Sequence, residues 1–323
     1  MYKVVSLFCG CGGCDQGLVG DFLFNNHHYY KLPYEIIYAL DIDQKALNTH
    51  KANFNCTKVV CGNICDISSD SIPDHDVLVG GFPCQSFSTV NPTKDPFDDR
   101  ANLYKQMARI ARDKQPKVII AENVKGLMTL HKGTIFKKVL DAFDEAGYIT
   151  SFKLMNAANY GVPQKRERVI IVGFRKDLGV KFEFPNETTA DNWVPLSVAV
   201  PEIEIEEQKY YFSKRAVEGM KNAKPNMKRG LWQKLDEPCL TITSHLAKVS
   251  LNSRDPVLLV NPEKELYRRF TPREAARIQS FPDEFEFAGS ETDAYRQIGN
   301  AVPPVLFWHI ADKVAKDVPE ENR

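Results

Sequence analysis

The run Gly80-Gly81-Phe82-Pro83-Cys84-Gln85 places a thiol on a loop shaped by glycine and proline. It follows the apolar residues 77–79, which read as a buried strand, so Cys84 lies where that strand exits. Ligands of open α/β sheets bind at this end of the strands. The two glycines permit close backbone approach or positive φ. Pro83 fixes its own φ and biases Phe82 toward an extended shape. A thiol held on such a turn suits nucleophilic attack, although a free cysteine can also simply fill apolar space.

Three further groups carry chemistry. Glu122-Asn123-Val124 follows the apolar residues 118–121, which brings a carboxyl to the same sheet edge as Cys84. A strand-end acid can donate a proton or cap the next helix. Gln164-Lys165-Arg166-Glu167-Arg168 leads into another apolar strand. Its arginines can orient a ligand and favour a thiolate, or form a surface ion pair. The run Gln297-Ile298-Gly299-Asn300-Ala301-Val302 lies near the C-terminus.

The elements that must position these groups follow from periodicity and breakers. Residues 3–8 read as a strand, Gly10, Gly12 and Gly13 as a tight loop, and residues 15–19 as the start of a helix. Strand, glycine loop and helix in this order form a nucleotide-type turn, although Gly-x-Gly-Gly departs from the dinucleotide fingerprint. Residues 25–33 read as a polar loop. Residues 35–39 form a second strand that runs into Asp41 and Asp43, ahead of a helix over 44–53. One acid there suits ribose hydroxyls and the other an N-cap; we assign Asp41 to the ligand and Asp43 to the cap. Strands over 77–79 and 118–121 flank a helix over 102–114. A helix over 133–146 and strands over 148–154 and 168–174 follow. This alternation predicts an α/β fold with a mostly parallel sheet and helices on both faces.

With 323 residues, 43% hydrophobic and 26% charged, the chain is long enough for roughly two domains. Formal net charge is zero, so nucleic-acid binding would need a local patch. No apolar run approaches the ~20 residues of a membrane span, and the first residues do not read as a signal peptide. Eight cysteines in a chain of this length fit a reducing, cytoplasmic setting. The spacings of Cys9, Cys11 and Cys14, and of Cys56, Cys61 and Cys65, do not match paired zinc-ligand patterns, so no metal is expected.

Residues 183–207 hold seven acids and no Lys or Arg, whereas residues 209–275 hold fourteen Lys or Arg against seven acids. We read the first as a boundary and the second as a basic recognition module, against the plainer reading of a solvated surface. Thr271 as N-cap and Pro272 at the first helical position open a helix. A last helix over 305–316 is expected to return to the first domain. The division is 1–183 catalytic, 184–270 recognition and 271–323 returning to the catalytic part.

Phe8-Cys9-Gly10-Cys11-Gly12-Gly13, Pro83-Cys84-Gln85, Glu122-Asn123-Val124, Gln164-x-Arg166-x-Arg168 and Gly299-Asn300-Ala301-Val302 resemble, in order, the motifs of DNA (cytosine-5) methyltransferases, in particular the short bacterial restriction–modification type. The resemblance spans nearly the whole chain except about residues 185–260. It implies a Rossmann-like, S-adenosylmethionine (AdoMet)-dependent enzyme that leaves S-adenosylhomocysteine as product. A thiolate adding to cytosine C6 turns C5 into an enamine-like carbon, which attacks the methyl group. Loss of the C5 proton and β-elimination of the thiol restore the ring. The resemblance assigns Cys84 as nucleophile, Glu122 to N3 of the base, and Arg168 with Arg166 to its O2 and nearby phosphates. For the cofactor it implies Phe8, the three loop glycines, Asp41 on ribose, Ile42, Asn63, Ile64 and Leu103 around adenine, Pro83, and Asn300 with Ala301 at the methionine end.

A cytosine inside a duplex must be flipped out to be reached. Residues 86–99 resemble the family's mobile loop, with Gln85 and Ser88 as DNA contacts. Lys228, Arg229, Thr241, Thr243, His245 and Arg254 are expected to touch phosphates or base edges. The recognition segment is short, which suggests a site of about four or five base pairs. Trp232 is read as a core anchor of that segment rather than a stacking platform. A monomer acting on double-stranded DNA, alongside a restriction endonuclease that shares its site, is the expectation. A tRNA cytosine methyltransferase on the same scaffold would carry a Cys-Phe-Thr tripeptide, which is absent. A silent DNA-binding regulator would not need Cys84, Glu122 and Arg168 together. A thiol redox enzyme would want a resolving cysteine near Cys84.

Overall fold

The computed structural model describes residues 1–56, 58–83, 103–222, 232–248 and 256–319. Cys84, Gln85, Ser88, Lys228, Arg229 and Arg254 lie outside them. The first half alternates strands and helices: β1 (Tyr2–Leu7), α1 (Gly13–Val19), the short strands β2 (Phe22–Phe24) and β3 (His27–Tyr29), β4 (Tyr34–Asp41), α2 (Gln44–Asn53), β5 (Lys58–Cys61), β6 (Val77–Gly80), α3 (Leu103–Lys114), β7 (Val118–Val124), α4 (Thr134–Glu145) and β8 (Tyr148–Asn156). Next come β9 (Gln164–Lys165) and β10 (Glu167–Arg175).

Seven of these strands form one sheet in the order β5-β4-β1-β6-β7-β10-β8. The pairings from β5 to β7 are parallel, while β10 runs antiparallel to both β7 and β8. Apolar residues alternate between two cores. Val4, Val77, Val79, Val118 and Ile120 face α1 and the C-terminal helix. Val5, Leu7, Leu78, Ile119 and Ala121 face α3 and α4. Burial on both faces explains why β6 and β7 read as near-continuous apolar runs.

Residues 25–33 are not the plain loop expected. β2 and β3 pair as a hairpin, with Asn25 at φ 48° and Asn26 at φ 59°. Asparagine tolerates this left-handed region, so Asn-Asn supplies a primed turn without glycine.

The remaining elements are α5 (Lys214–Lys221), β11 (Trp232–Gln233), β12 (Cys239–Leu240), β13 (Val257–Asn261), β14 (Leu266–Arg268), α6 (Pro272–Ile278), α7 (Glu291–Asn300) and α8 (Pro304–Asp317). Thr271 and Glu274 close a capping box at the start of α6. β11, β13 and β14 form a small sheet, and β12 pairs with β9, which ties the recognition segment to the first part of the chain. A third core joins Leu196, Ile242 and Leu258 to Ala275, Phe281 and Ile298. The expected boundary at 270 therefore crosses one hydrophobic cluster. Only α8 returns fully to the large sheet, where a Cβ on Gly17 would come within 2.6 Å of the Pro304 carbonyl. Trp232 is not a core anchor: it is 42% exposed, because its two-residue strand pairs at one edge of the small sheet. Among the described residues no helix is long and apolar enough to cross a membrane.

Candidate active site

The carboxyl ends of β1, β4, β6 and β7 border one cavity of about 590 Å³, a size usual for small-ligand sites. After β1 the chain turns sharply through Phe8 at φ 55° and Gly10 at φ +55°. Asp41, at the end of β4, locks this turn. Its Oδ2 accepts from the Gly10 N–H at 2.8 Å, and its Oδ1 from the Asp43 N–H at 2.8 Å. Burial pushes the Asp41 carboxyl above the ordinary carboxylate range, against the opposing pull of these backbone donors. Asp43 caps α2 by accepting from the Lys45 N–H, and its other oxygen pairs with Arg296 at 3.0 Å.

Apolar walls come from Phe8, Ile42, Ile64 and Leu103, with Ile42 73% exposed at the mouth. Asn63 caps the short turn over 64–66 through Cys65 N–H, leaving the amide oxygen a second lone pair. Gly10, Gly13, Pro83, Asn300 and Ala301 also line the cavity. Gly12 does not: at φ +96° it packs on Phe54, whose ring would lie 2.3 Å from an added Cβ. Gly13 serves close packing as well, since its Cβ would meet the Val302 carbonyl at 2.5 Å.

The other side of the cavity carries the charged groups. Arg168 Nε donates to Glu122 Oε1 at 2.9 Å, and each side chain is 13% exposed. Burial raises the Glu122 carboxyl above its ordinary value, while Arg168 and then Arg166 pull it back down. An added Cβ on Gly81 would lie 3.1 Å from Glu122 Oε2. The loop after β6 and the end of β7 are therefore in contact, two residues before Pro83.

A family model for C-5 cytosine-specific DNA methylases matches residues 2–316. The chain belongs to this family. It is a DNA cytosine-5 methyltransferase. It is 32% identical over 352 residues to Type II methyltransferase M.FnuDI of Fusobacterium nucleatum, covering 99% of this chain and 96% of that one. It is 34% identical over 326 residues to Type II methyltransferase M1.ScrFI of Lactococcus lactis subsp. cremoris, covering 100% and 80%. In fold it is similar to the S. pombe Dnmt2 methyltransferase, with TM-score 0.76, 20% identity and coverage of 98% and 99%. It is also similar to the Entamoeba histolytica methyltransferase EhMeth, with TM-score 0.71, 17% identity and coverage of 99% of each chain.

In this methyltransferase Arg166 and Arg168 differ in what they touch. Arg166 is buried and donates to the carbonyls of Ile242 at 3.0 Å, Gly299 at 3.0 Å and Ala301 at 2.9 Å. Its two terminal nitrogens are committed to the backbone, while its buried Nε has no partner among the described residues, so it braces the wall of the site. Gln164 and Gln279 extend this clasp. Gln164 accepts from the Ile242 N–H and donates to the Ile278 carbonyl, and Gln279 donates to the carbonyls of Ile298 and Ala301. Gln279 carried no signal in the sequence, because its partners lie on segments far apart in the chain. Asn123 was visible only as part of its motif. Its side chain donates to the Phe82 carbonyl at 2.8 Å and so holds the loop that leads to Cys84.

Among the expected DNA contacts, Thr241 spends its hydroxyl on the Lys165 carbonyl at 2.7 Å. Thr243 accepts from the His245 N–H at 3.1 Å, and His245 is exposed. These residues follow β12 directly, at the junction of the recognition segment and the cavity wall.

Proposed function

We propose that the chain methylates C5 of a flipped-out cytosine within a short duplex sequence, through a covalent bond from Cys84 to C6. The pair of Glu122 and Arg168 at the cavity carries this reading, one motif away from the Pro83 that precedes Cys84. A carboxyl raised by burial is suited to donate a hydrogen bond or proton to N3, which draws electrons from the ring as the thiolate adds. Arg168 holds that carboxyl in place and presents positive charge to the base carbonyl.

The cavity fits AdoMet. Asp41 is fixed by two backbone donors and keeps lone pairs for ribose hydroxyls. Gly10 leaves open space where any side chain would stand, with no atom within 4 Å of an added Cβ. Phe8, Ile42, Ile64 and Leu103 offer apolar surface for adenine, and Asn300 with Ala301 borders the methionine end. When bound, this group supplies an electrophilic methyl.

We assign Cys84, Glu122 and Arg168 to the reaction and Arg166 to positioning. Double-stranded DNA lies against residues 241–245 and the basic segment around Lys228, Arg229 and Arg254, with Gln85 and Ser88 beside the flipped base. The names of its relatives support a Type II modification role; we add to this reading that it acts as a monomer in a bacterial cytoplasm, on a site shared with a separate endonuclease. Bisulfite sequencing of unmethylated plasmid after incubation with protein and AdoMet tests this. Protected cytosines in one short context are expected. Uniform conversion by protein that binds AdoMet would overturn the reading.

A further inference from the structure

Beneath the glycine loop, three polar side chains from different elements meet. Cys9 lies in the turn after β1, Asp15 on α1 and His50 on α2. Their donor atoms all lie within 4.8 Å of one another. His50 Nε2 and Asp15 Oδ2 are 2.8 Å apart, and both side chains are fully buried. Asp15 Oδ1 and His50 Nδ1 have no hydrogen-bond partner among the described residues. A buried polar atom without a partner is uncommon, and an absent ion is one of its few physical explanations.

We propose that Cys9, Asp15 and His50 form a binding site for a thiophilic divalent cation such as zinc. One thiolate, one carboxylate and a neutral imidazole make a donor set typical of zinc, and with a divalent ion the site is neutral overall. That neutrality suits a place from which water is excluded. Tetrahedral bond lengths of about 2.0–2.3 Å put ligand atoms about 3.3–3.6 Å apart, so Cys9 must draw in while the 2.8 Å His50–Asp15 pair opens and gives up its hydrogen bond. Binding transfers the Cys9 thiol proton to solvent. The fourth position falls to water, which keeps the site neutral; a thiolate from Cys56, which packs in the same small cluster as Cys9, would add a negative charge. Cysteine spacing hides such a site, because each ligand comes from a different element.

The consequence is mechanical. An added Cβ on Gly12 would lie 3.2 Å from the His50 ring, so His50 packs directly under the glycine loop. Cys9 also borders the cavity. An ion here would tie β1, α1 and α2 together behind the cofactor loop. This inference does not depend on the proposed methyl transfer.

The test is titration of the full-length protein with cobalt(II), followed by displacement with zinc(II). One equivalent is expected, with a near-ultraviolet thiolate-to-cobalt band that zinc abolishes. Cys9→Ser should lose this band, and Cys239→Ser, a buried cysteine of another cluster, should keep it. Zinc should raise the Tm of the wild type and of Cys239→Ser, but not of Cys9→Ser. Folded wild-type protein that shows no thiolate band overturns the proposal, whatever the variants do. So does a band that survives in Cys9→Ser and vanishes when the exposed Cys61 and Cys65 are replaced.

Discussion

Arg168 and Glu122 lie on adjacent antiparallel strands, offset by two residues, with Nε and Oε1 2.9 Å apart. Arg168 pairs in register with Val124, and Glu122 with Ile170. Diagonal neighbours on one sheet face are within reach of long side chains. The sheet register therefore sets the distance between acid and guanidinium. The antiparallel turn of β10 makes this contact; a parallel strand would carry Arg168 to the opposite end of β7.

Glu122→Gln should keep the hydrogen bond to Arg168 and remove the titrating proton. Turnover is expected to fall by roughly 10²–10⁴-fold, the usual worth of a positioned acid, with AdoMet affinity nearly unchanged. Stability provides a second readout. The Glu122 carboxyl is raised in the fold from its ordinary 4.5. Its favourable contribution is complete below that value and is lost as pH rises through the folded one. Wild type should thus lose stability relative to Glu122→Gln as the pH is raised from about 4 toward neutral. Parallel thermal melts across that range would show a constant gap if the carboxyl were unshifted.

The two arginines of one motif should separate cleanly. Replacing Arg166 by Met takes its donors from the buried carbonyls of Ile242 and Gly299, while the Ala301 carbonyl keeps Gln279. A loss of about 3–5 kcal/mol is expected from breaking such an arrangement on one side. Arg168→Met removes one partner of a largely buried pair whose carboxyl can take up a proton, so it should cost less stability than Arg166→Met while lowering the single-turnover rate. Urea titration and single-turnover kinetics on both variants decide this. Equal stability losses would remove the distinction.

Much of the site was legible because each motif is local: strand, breaker, functional residue. Asp43 as N-cap and Asp41 at the cavity could be read from two acids one residue apart after an apolar strand. What stayed hidden depends on contacts between distant segments. Nothing in residues 164–168 says that Arg166 turns inward to the carbonyls of 299 and 301 while Arg168 faces Glu122. The reversal of β10 leaves no mark, since a strand buried on both faces reads the same in either direction. Trp232 was misplaced because size and aromaticity report a preference for burial, not whether an edge strand grants it. The third core crosses residue 270 because charge composition, which suggested that boundary, describes the surface only.

Asp41→Ala should release the glycine loop and remove the ribose acceptor together. Each hydrogen bond to a charged group is worth about 1.5–3 kcal/mol, so AdoMet affinity should fall by roughly 10–150-fold. Asp41→Asn keeps one acceptor oxygen and should fall between. Calorimetric titration gives the comparison. Equal binding by wild type and Asp41→Ala would move the ribose contact elsewhere.

Gly299 is the point where the recognition segment rests on the cavity wall. A Cβ there would lie 2.2 Å from the carbonyl carbon and oxygen of Thr243 and 2.3 Å from the Ser244 nitrogen. Those are backbone atoms, so no rotamer change can relieve the clash. The carbonyl of Gly299 is also held by Arg166 at 3.0 Å, which keeps α7 from retreating. Gly299→Ala should therefore push residues 243–244 outward, at about 1–3 kcal/mol of overpacking. Residues 241–245 are proposed DNA contacts, so specific DNA affinity should drop at least about tenfold, the effect of losing one good base contact. AdoMet binding should change less, because the nearest atoms in the clash belong to Thr243 and Ser244. Gly126→Ala is the control: nothing lies within 4 Å of its added Cβ. Gel-shift titration with cognate and random duplexes reads the outcome. If Gly299→Ala keeps its preference for the cognate duplex, the contact with Thr243 does not set how the recognition segment meets DNA.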